Sequence, residues 1–436
     1  MIKKKIPSFQ PHPNSKLQLP WNALQVGTLI FPLMPAFGAV SIGFAILVTL
    51  AFDYKTIIHR PRNWGFGIFS LLLIITTALA HDKISALEGL FNFLPYILLF
   101  CASDALIQTP GQLRHLARIL VITSIPVVII GLGQMFLGWT TPETWQNIFG
   151  WVIAPGGNPP GRMASSFMYA NTLAGYLIIT FILAFGLWLE EFGKKGKRQL
   201  SISQPLILLS LAVILNFVGL ILTNSRNAWA IAIFVAIVYA AYQGWYILVA
   251  GVASIATTII LAAFAPKPIA EIFRKVVPTF FWARLNDQMF PDRPIALMRK
   301  TQWDFAWNMA QQRPFTGWGL RNFTLLYQEK MHIWLGHPHN FFLMLSAETG
   351  IPTTILFISL ITWILIAGLQ LLRSPQSLEK QDRLIFFSYL LVIIAWVLFN
   401  TADVSLFDLR LNALSWLLLG AVSGVIYRCD RLQKLT

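Results

Sequence analysis

The chain has 436 residues, of which 56% are hydrophobic and only 12% are charged, whereas soluble domains average about 25% charged residues. Its net charge of +15 follows from the Lys and Arg residues that membrane proteins gather in cytoplasmic loops. No stretch interleaves basic and aromatic residues on a polar background, so the composition excludes a soluble globule and argues against nucleic-acid binding.

Apolar runs predict about twelve transmembrane helices. Residues 22–52 contain Pro32 and Pro35 and are too long for one span, so they predict two short helices with a turn near Gly38. Seven runs follow at 64–81, 88–102, 119–138, 165–189, 204–223, 226–243 and 245–265, and three more lie beyond a long loop at 352–372, 384–401 and 407–427. The predicted fold is an all-α polytopic membrane protein with about 12 transmembrane helices and a large periplasmic loop between helices 9 and 10.

Charge placement predicts the orientation of this bundle. With the N-terminus in the cytoplasm, the cytoplasmic segments carry 19 Lys and Arg residues, against three on the short outer loops and their rims. Both termini are therefore expected in the cytoplasm. The predicted division is a tail at 1–21, helices at 22–265, a large outer (periplasmic) loop at 266–351, helices at 352–427 and a tail at 428–436. Lys3, Lys4 and Lys5 precede a polar stretch with no cleavage site, so no signal peptide is expected. Cys101 and Cys429 fall near cytoplasmic helix ends, where no disulfide is expected.

The long loop carries ten Lys and Arg residues against five acids, which suits an anionic substrate. Loops of this length are usually functional. Residues 297–312 predict an amphipathic helix that lies against the membrane or over a cavity, with Trp303, Phe305 and Trp307 on its apolar side. Arg299 falls on that side, either as a snorkelling residue of a frayed first turn or in a functional role.

His337, His339 and Asn340 lie near the end of this loop, in HPHNFFLMLSAETG, with Glu348 shortly before the next span. Three interpretations are open for the histidine pair: a metal site, caps at a helix start, and general-base catalysis, which suits an imidazole near neutral pH. The sequence around the pair offers no further residue that would complete a zinc site. General-base catalysis is therefore favoured over the metal.

Two arginine segments and a glycine turn add to the candidate site. Arg226, in TNSRNAW, is either a snorkelling arginine or a clamp for phosphate oxygens. Arg410 is expected to form an internal ion pair with Asp403 or Asp408. The segment RPFTGWGLRNF contains Arg321 and a glycine pair that predicts a tight turn, without the residues of a nucleotide-binding loop. Few closely paired carboxylates occur on the outer side, which favours transfer from a phosphate leaving group over glycoside hydrolysis.

Four segments together resemble the O-antigen ligase and O-antigen polymerase superfamily of membrane glycosyltransferases. They are GRMASSFMYANTLAGYL at 161–177, TNSRNAW at 223–229, MRKTQWDFAWNMAQQRPFTGWGLRNF at 298–323 and HPHNFFLMLSAETGIP at 337–352. Their order and their predicted outer-side location agree with the superfamily.

The resemblance implies metal-independent and cofactor-free transfer of a glycan from an undecaprenyl-pyrophosphate carrier, in the bacterial inner membrane with a periplasmic active site. It implies His339 as the base, with His337 second, and a pyrophosphate site formed by Arg226, Arg162 and either Arg299 or Arg321. Asn340, Glu348 and Asn171 are implied as supporting residues. The partners would be the lipid-linked donor, membrane lipids and a glycan acceptor.

Alternatives remain for the identity of the acceptor and for whether the protein is an enzyme at all. Lipid A–core is the acceptor in ligases, a second lipid-linked glycan in polymerases, and a protein hydroxyl in protein O-oligosaccharyltransferases. Some superfamily members are labelled inorganic-carbon transporters, so a solute carrier is the non-enzyme alternative. A carrier is expected to gather polar groups near mid-membrane, whereas here they gather at the predicted outer rim.

Overall fold

The structure is a computed structural model and describes residues 10–194, 203–286, 294–374 and 376–433. The basic N-terminal residues Lys3–Lys5 lie outside the described residues. So do the basic residues at 195–198, the C-terminal Lys434, and Arg293, Asp287 and Asp292 of the long loop.

The first eleven helices form most of a bundle. In chain order they are α1 (Gln18–Ile30), α2 (Pro35–Ile58), α3 (Pro61–Ala78), α4 (Lys83–Leu90), α5 (Leu94–Leu106), α6 (Pro110–Phe136), α7 (Glu143–Phe149), α8 (Ala170–Lys194), α9 (Gln204–Leu222), α10 (Arg226–Tyr242) and α11 (Tyr246–Phe264). The long loop holds five short helices: α12 (Lys267–Arg274), α13 (Thr279–Leu285), α14 (Arg299–Gln312), α15 (Asn322–Met331) and α16 (Phe341–Thr349). Three long helices complete the chain: α17 (Ile351–Arg373), α18 (Lys380–Asn400) and α19 (Leu409–Gln433).

The predicted all-α polytopic membrane fold is confirmed. Within the described residues, nine helical segments are long and apolar enough to cross a membrane, counting α4 and α5 together as Lys83–Leu106. The others are α2, α6, α8, α9, α11, α17, α18 and α19. Helices α1, α3 and α10 coincide with the three remaining predicted spans but fall below that length or hydropathy, so the count of twelve stays a prediction.

Two predicted helix boundaries were wrong, and proline accounts for both. The first turn occupies residues 31–34 rather than the neighbourhood of Gly38, because Pro35 begins α2 and proline is favoured in a first helical turn. Gly38 instead gives Phe31 room to pack, since a Cβ there would lie 2.6 Å from the Phe31 Cα. The span predicted at 88–102 is broken at residues 91–93, where Pro95 in the first turn of α5 starts a new helix.

Helices α8 and α19 occupy the centre of the bundle. Their apolar windows are 83% and 89% buried, whereas that of α11 is 11% buried, so α11 lies at the lipid-facing edge. Helix α19 can approach the end of α5 closely because residue 424 is a glycine. A Cβ at Gly424 would lie 2.2 Å from the carbonyl oxygen of Ile107, just beyond α5. The bundle end that carries residues 265–350 is called the loop end below, and the other is the opposite end.

The long loop is a packed helical layer. The predicted helix at 297–312 is confirmed as α14, but its predicted apolar face is only partly borne out, since Ala306 and Met309 are buried as expected and Trp307 is not. The side of α14 that is buried carries Gln302, Ala306, Met309 and Ala310, while Trp307 is 46% exposed. Small side chains allow α14 to pack closely on α16, and the bulky Trp307 would not fit in that contact.

Candidate functional site

A cavity of about 490 Å³ opens at the loop end of the bundle. Three separate stretches of chain form its walls: the start of α8, the end of the long loop, and the connection between α18 and α19. Its polar lining residues are Asn171, His337, His339, Asp403, Asp408 and Arg410, and its aromatic lining residues are Phe167, Tyr169, Trp334, Phe399 and Phe407.

A chain of hydrogen bonds runs through the polar wall of this cavity. Asp403 Oδ1 lies 3.3 Å from His339 Nδ1, and Asp403 Oδ2 accepts a 2.7 Å hydrogen bond from Asn171 Nδ2. The Asn171 side-chain oxygen accepts from Arg162 Nη2, and Arg162 Nε donates to the Thr223 carbonyl oxygen at 2.9 Å. The imidazole of His339 is therefore held by a carboxylate that is itself bonded to Asn171 of α8 and linked, through Arg162, to the end of α9.

Local backbone geometry aims the two imidazoles into the cavity. Asn340 caps α16, because its side-chain oxygen accepts from the Leu343 backbone N–H at 3.0 Å. The alternative of histidine caps was therefore wrong. Just before this cap, His339 adopts a left-handed φ of +52°, a conformation that histidine tolerates better than most residues. His337 Nδ1 accepts the His339 backbone N–H at 3.2 Å, and the His337 ring stacks on Phe407.

The charges of the site favour an ionised aspartate beside a neutral His337. Burial raises the pKa of Asp403, but the His339 hydrogen bond and the charges of both histidines outweigh it, and the net pKa lies below its usual value. Burial and the neighbouring His339 lower the pKa of His337 to about 4, and the charge of Arg299 acts in the same direction. His337 is therefore uncharged near neutral pH.

Three of the arginines predicted to bind pyrophosphate lie in or near the chain of hydrogen bonds: Arg162, Arg226 and Arg299. Burial lowers the pKa of the Arg162 guanidinium, and the charge of Arg226 adds to that effect, so Arg226 is close enough to act on Arg162. Arg226 begins α10, directly after the turn through Asn224. Arg299 begins α14 and acts electrostatically on His337. The fold thus gathers positive charge near Arg162 and His337.

Arg410 forms a separate buried cluster in the cavity floor. Its guanidinium lies 3.8 Å above the Phe167 ring, donates to the Ser166 carbonyl oxygen at 2.8 Å and pairs with Asp408 at 3.8 Å. Asp408 also caps α19 through the Leu411 backbone N–H at 2.9 Å. The predicted internal ion pair with Asp408 is confirmed. Asp403, the other predicted partner, pairs with the histidines instead.

Arg321 and Glu348 do not line the cavity. Arg321 forms a 2.6 Å ion pair with Glu88 of α4, and both side chains are largely exposed. Glu348 is buried against the glycine turn and accepts the Phe323 backbone N–H at 3.3 Å. Gly317 has to be glycine here, because its φ is +65° and a Cβ would lie 2.3 Å from the Glu348 carbonyl carbon. These residues fasten the loop to the bundle.

The fold brings together metal-ligand atoms that are distant in sequence. One nitrogen each of His337 and His339 and a carboxylate oxygen of Asp403 all lie within 4.8 Å of one another. Two histidines and one carboxylate are a set that divalent transition metals accept. The expectation that nothing nearby could complete a metal site was therefore incomplete, because Asp403 arrives from the α18–α19 connection.

Asp403 is also the main site residue that sequence reasoning missed. The available signal was a short polar stretch, Asn400–Asp403, between two apolar runs on the same predicted side as the histidines. The expectation of few closely paired carboxylates also needs correction, because Asp403 and Asp408 both line the cavity. Each is engaged, Asp403 with His339 and Asn171, and Asp408 with Arg410 and α19.

The fold and the site together define a multi-pass membrane protein with a polar, arginine-flanked cavity at one end of its bundle. Residues 211–358 match the family model described as O-antigen ligase, which supports the predicted resemblance to the O-antigen ligase superfamily. The match includes Arg226, Arg299, His337 and His339. Outside the match lie Asn171 and Asp403, which line the cavity, and Arg162, which donates to Asn171. No curated protein matches the chain. The family supports a glycan-transferring membrane enzyme of the ligase or polymerase type.

Proposed function

We propose that the protein transfers a glycan from undecaprenyl pyrophosphate to an acceptor hydroxyl at the periplasmic face of the bacterial inner membrane, without a metal. Ligation of O-antigen to lipid A–core is the favoured reaction. The observation that carries the proposal is the hydrogen-bonded chain from Arg162 through Asn171 and Asp403 to His339, in a cavity at the loop end.

His339 is the proposed general base. A proton on Nδ1, directed at the Asp403 carboxylate, leaves the Nε2 lone pair for the acceptor hydroxyl. As the acceptor oxygen bonds to the anomeric carbon, its proton passes to Nε2, and the bond from that carbon to the phosphate oxygen breaks. The electron pair leaves with the pyrophosphate. The carboxylate stabilises the imidazolium that forms, as in hydrolases that pair histidine with aspartate.

His337 is proposed as a hydrogen-bond donor rather than a second base. Its Nδ1 is occupied as the acceptor for the His339 backbone N–H, so its Nε2 carries the proton. A neutral imidazole with a pKa of about 4 is too weak a base to accept a proton from a hydroxyl near neutral pH. The Nε2–H group is instead suited to a sugar or phosphate oxygen in the cavity.

The arginines take two proposed roles. Arg226 and Arg299 are the proposed ligands of the pyrophosphate, because guanidinium binds phosphate oxygens in a bidentate manner and stabilises the departing charge. Arg162 already donates to Asn171 and to Thr223, which favours a positioning role over direct substrate binding. The Glu88 ion pair of Arg321 favours an anchoring role for that residue.

A solute carrier is the weaker candidate. Its substrate site should lie near mid-membrane, but two internal cavities next to Ile179 and Trp396 hold only about 10 Å³ each. A polymerase or a protein O-oligosaccharyltransferase would use the same chemistry on a different acceptor.

The test uses the purified full chain with lipid-linked donor and each acceptor in turn. We expect His339→Ala to abolish transfer and Arg226→Lys to impair it strongly, because ammonium cannot replace a bidentate fork. Exposed His332, elsewhere on the same loop, provides the control His332→Ala. EDTA should leave the rate unchanged. Full activity of His339→Ala would refute the base, and inactivation by EDTA with recovery on added metal would assign the His337–His339–Asp403 cluster to a metal instead.

A further inference from the structure

A second cavity, of about 460 Å³, lies at the opposite end of the bundle and is unrelated to the proposed transfer site. It is formed by the first residues of α3, the end of α5 and the last turns of α17 and α19. Its charged lining residues are Arg60, Arg62, Asp104, Asp430 and Arg431, and two aromatic residues, Trp363 and Tyr427, complete it.

The deep wall of this cavity contains two buried arginines. Arg60 is 2% exposed and donates to Asp104 Oδ2 at 2.7 Å, while its guanidinium lies 4.1 Å from the Tyr427 ring centroid. Arg62 is 9% exposed, donates to the Ser423 carbonyl oxygen at 3.3 Å and reaches Asp430 only at 4.0 Å. The Arg60–Asp104 ion pair is therefore short and direct, whereas Arg62 has only long polar contacts.

Both donor and acceptor atoms in this wall lack hydrogen-bond partners among the described residues. Nε of Arg60 and Nε of Arg62 are buried without a hydrogen-bond partner there, as is Asp104 Oδ1. A buried arginine donor without an acceptor is costly, so such a group usually indicates a ligand or ordered water. The three arginines exceed the two aspartates of the cavity by one positive charge, so a singly charged anion would neutralise it.

The surface beside the cavity is built for lipid contact. Trp363 lines the cavity and is 43% exposed, and Trp64 is 65% exposed two residues after Arg62. Ile366 and Ile68 extend the exposed apolar surface along α17 and α3. Tryptophans at such positions mark the boundary between headgroups and acyl chains, so the cavity opens where a phospholipid headgroup lies.

We infer that this cavity binds the phosphodiester headgroup of a glycerophospholipid. Arg62 and Arg431 bind the phosphate, the closed Arg60–Asp104 pair forms the floor, and Trp363 contacts the first methylene groups of the acyl chains. A phosphodiester carries one negative charge, which matches the excess of the cavity, and its oxygens accept hydrogen bonds from the Arg62 and Arg431 guanidinium groups that line the cavity. Free phosphate would also bind the arginines, but it would make no contact with the exposed tryptophan or with the apolar surface.

The experiment uses native mass spectrometry of the full chain in neutral detergent, with phosphatidylglycerol, diacylglycerol or sodium phosphate added. Wild type should retain phosphatidylglycerol at least about tenfold better than diacylglycerol, because diacylglycerol lacks the phosphate that accepts charge-assisted hydrogen bonds from the arginines. Arg62→Gln should lose that preference. Arg431→Gln, an exposed change that leaves the core intact, should weaken it. Arg428→Gln is the matched control, since Arg428 lies on the same helix end but does not line the cavity.

Three outcomes would overturn the inference. Arg62→Gln and Arg431→Gln could both retain phosphatidylglycerol like wild type. Diacylglycerol could bind equally well, which would leave only an apolar groove. Sodium phosphate at millimolar concentration could displace the lipid completely, which would identify a site for the free ion. None of these outcomes bears on glycan transfer, because no residue of this cavity lines the site at the loop end.

Discussion

His337 and His339 are two residues apart in sequence, yet their surroundings give them different chemistry. His339 faces Asp403 at 3.3 Å, whereas His337 lies 4.0 Å from the same oxygen, which is too far for a hydrogen bond. The carboxylate therefore fixes one ring and only influences the other. Asp403 is the residue on which the distinction depends, and replacing it tests the assignment directly.

Asp403→Asn should lower the turnover number by about 10²–10⁴-fold with little change in KM, because the amide keeps the shape of the site but cannot stabilise an imidazolium. The measurement is steady-state transfer by purified enzyme with lipid-linked donor. Asp304→Asn is the matched control, since Asp304 is an exposed carboxylate on α14. A rate for Asp403→Asn within about twofold of wild type would rule out orientation by this carboxylate.

Glu348 shows how burial alone changes a carboxyl group. Burial raises its pKa to about 8 although the backbone N–H groups of Arg321 and Phe323 favour the ionised form. The unfolded chain ionises near its ordinary value of 4.5. Between these two values the folded state holds the proton and the unfolded state does not, so stability is full below pH 4.5 and falls as the pH rises towards 8.

Glu348→Gln should remove this pH dependence and stabilise the protein by about 3 kcal/mol at pH 7, since glutamine keeps the acceptor for Phe323 and never ionises. Thermal unfolding in detergent from pH 5 to pH 8 is the measurement. Glu88→Gln changes an exposed carboxylate and should leave the wild-type slope in place. Parallel pH slopes for wild type and Glu348→Gln would contradict the buried protonated state.

At the scale of elements, the turn at 317–319 joins α14, α15 and α16 to the connection between α3 and α4. Trp318 and Gly319 donate backbone N–H groups to the carbonyl oxygens of Ala347 and Glu348 at 3.0 Å and 2.8 Å. Beyond the turn, the Asn322 side-chain oxygen accepts the Asp82 backbone N–H at 2.8 Å. The end of the loop that bears the histidines is therefore positioned from both sides of the turn.

Gly317→Ala should displace this turn and lower both activity and apparent Tm, because its Cβ would collide with the Glu348 backbone. The control is Gly138→Ala, at a nearly identical φ of +66° with nothing within 4 Å of the added Cβ. That variant carries only the backbone cost, about 1 kcal/mol. Activity assays and thermal unfolding of both variants are the measurements. Equal losses in the two would show that backbone strain, not the contact, matters.

The elements were largely predictable from the sequence because a bilayer demands long apolar runs. Errors arose where proline decided a boundary, as at Pro35 and Pro95. Only the part of the site that lies in local motifs could be predicted from the sequence. Its histidines and arginines form local motifs, but His339 and Asp403 are 64 residues apart, and Asn171 and Asp403 are 232 apart. No local pattern indicates which acidic residue on the outer side meets a given imidazole, since helix packing decides it.

At the scale of the whole molecule, charges beside the two cavities differ from charges elsewhere in the bundle. Away from the cavity at the opposite end, charges are paired across helices: Arg114 joins Glu190 and Asp382 at 2.8 Å each. At the loop end, Arg226 and Arg299 flank a cavity and influence a second arginine and a histidine. Paired charges stabilise helix packing, whereas converging positive charge attracts an anion.

The proposed periplasmic transfer requires the loop end to face outward, as the count of 19 basic residues against three predicts. Cysteine labelling in intact cells measures this. In a Cys429→Ser background the one remaining native thiol, Cys101, is buried. Asn308→Cys, on the exposed side of α14, should react with a membrane-impermeant maleimide in intact cells. His59→Cys, exposed at the opposite end, should react only after lysis. The reverse pattern would place the cavity in the cytoplasm, where the proposed periplasmic transfer could not occur.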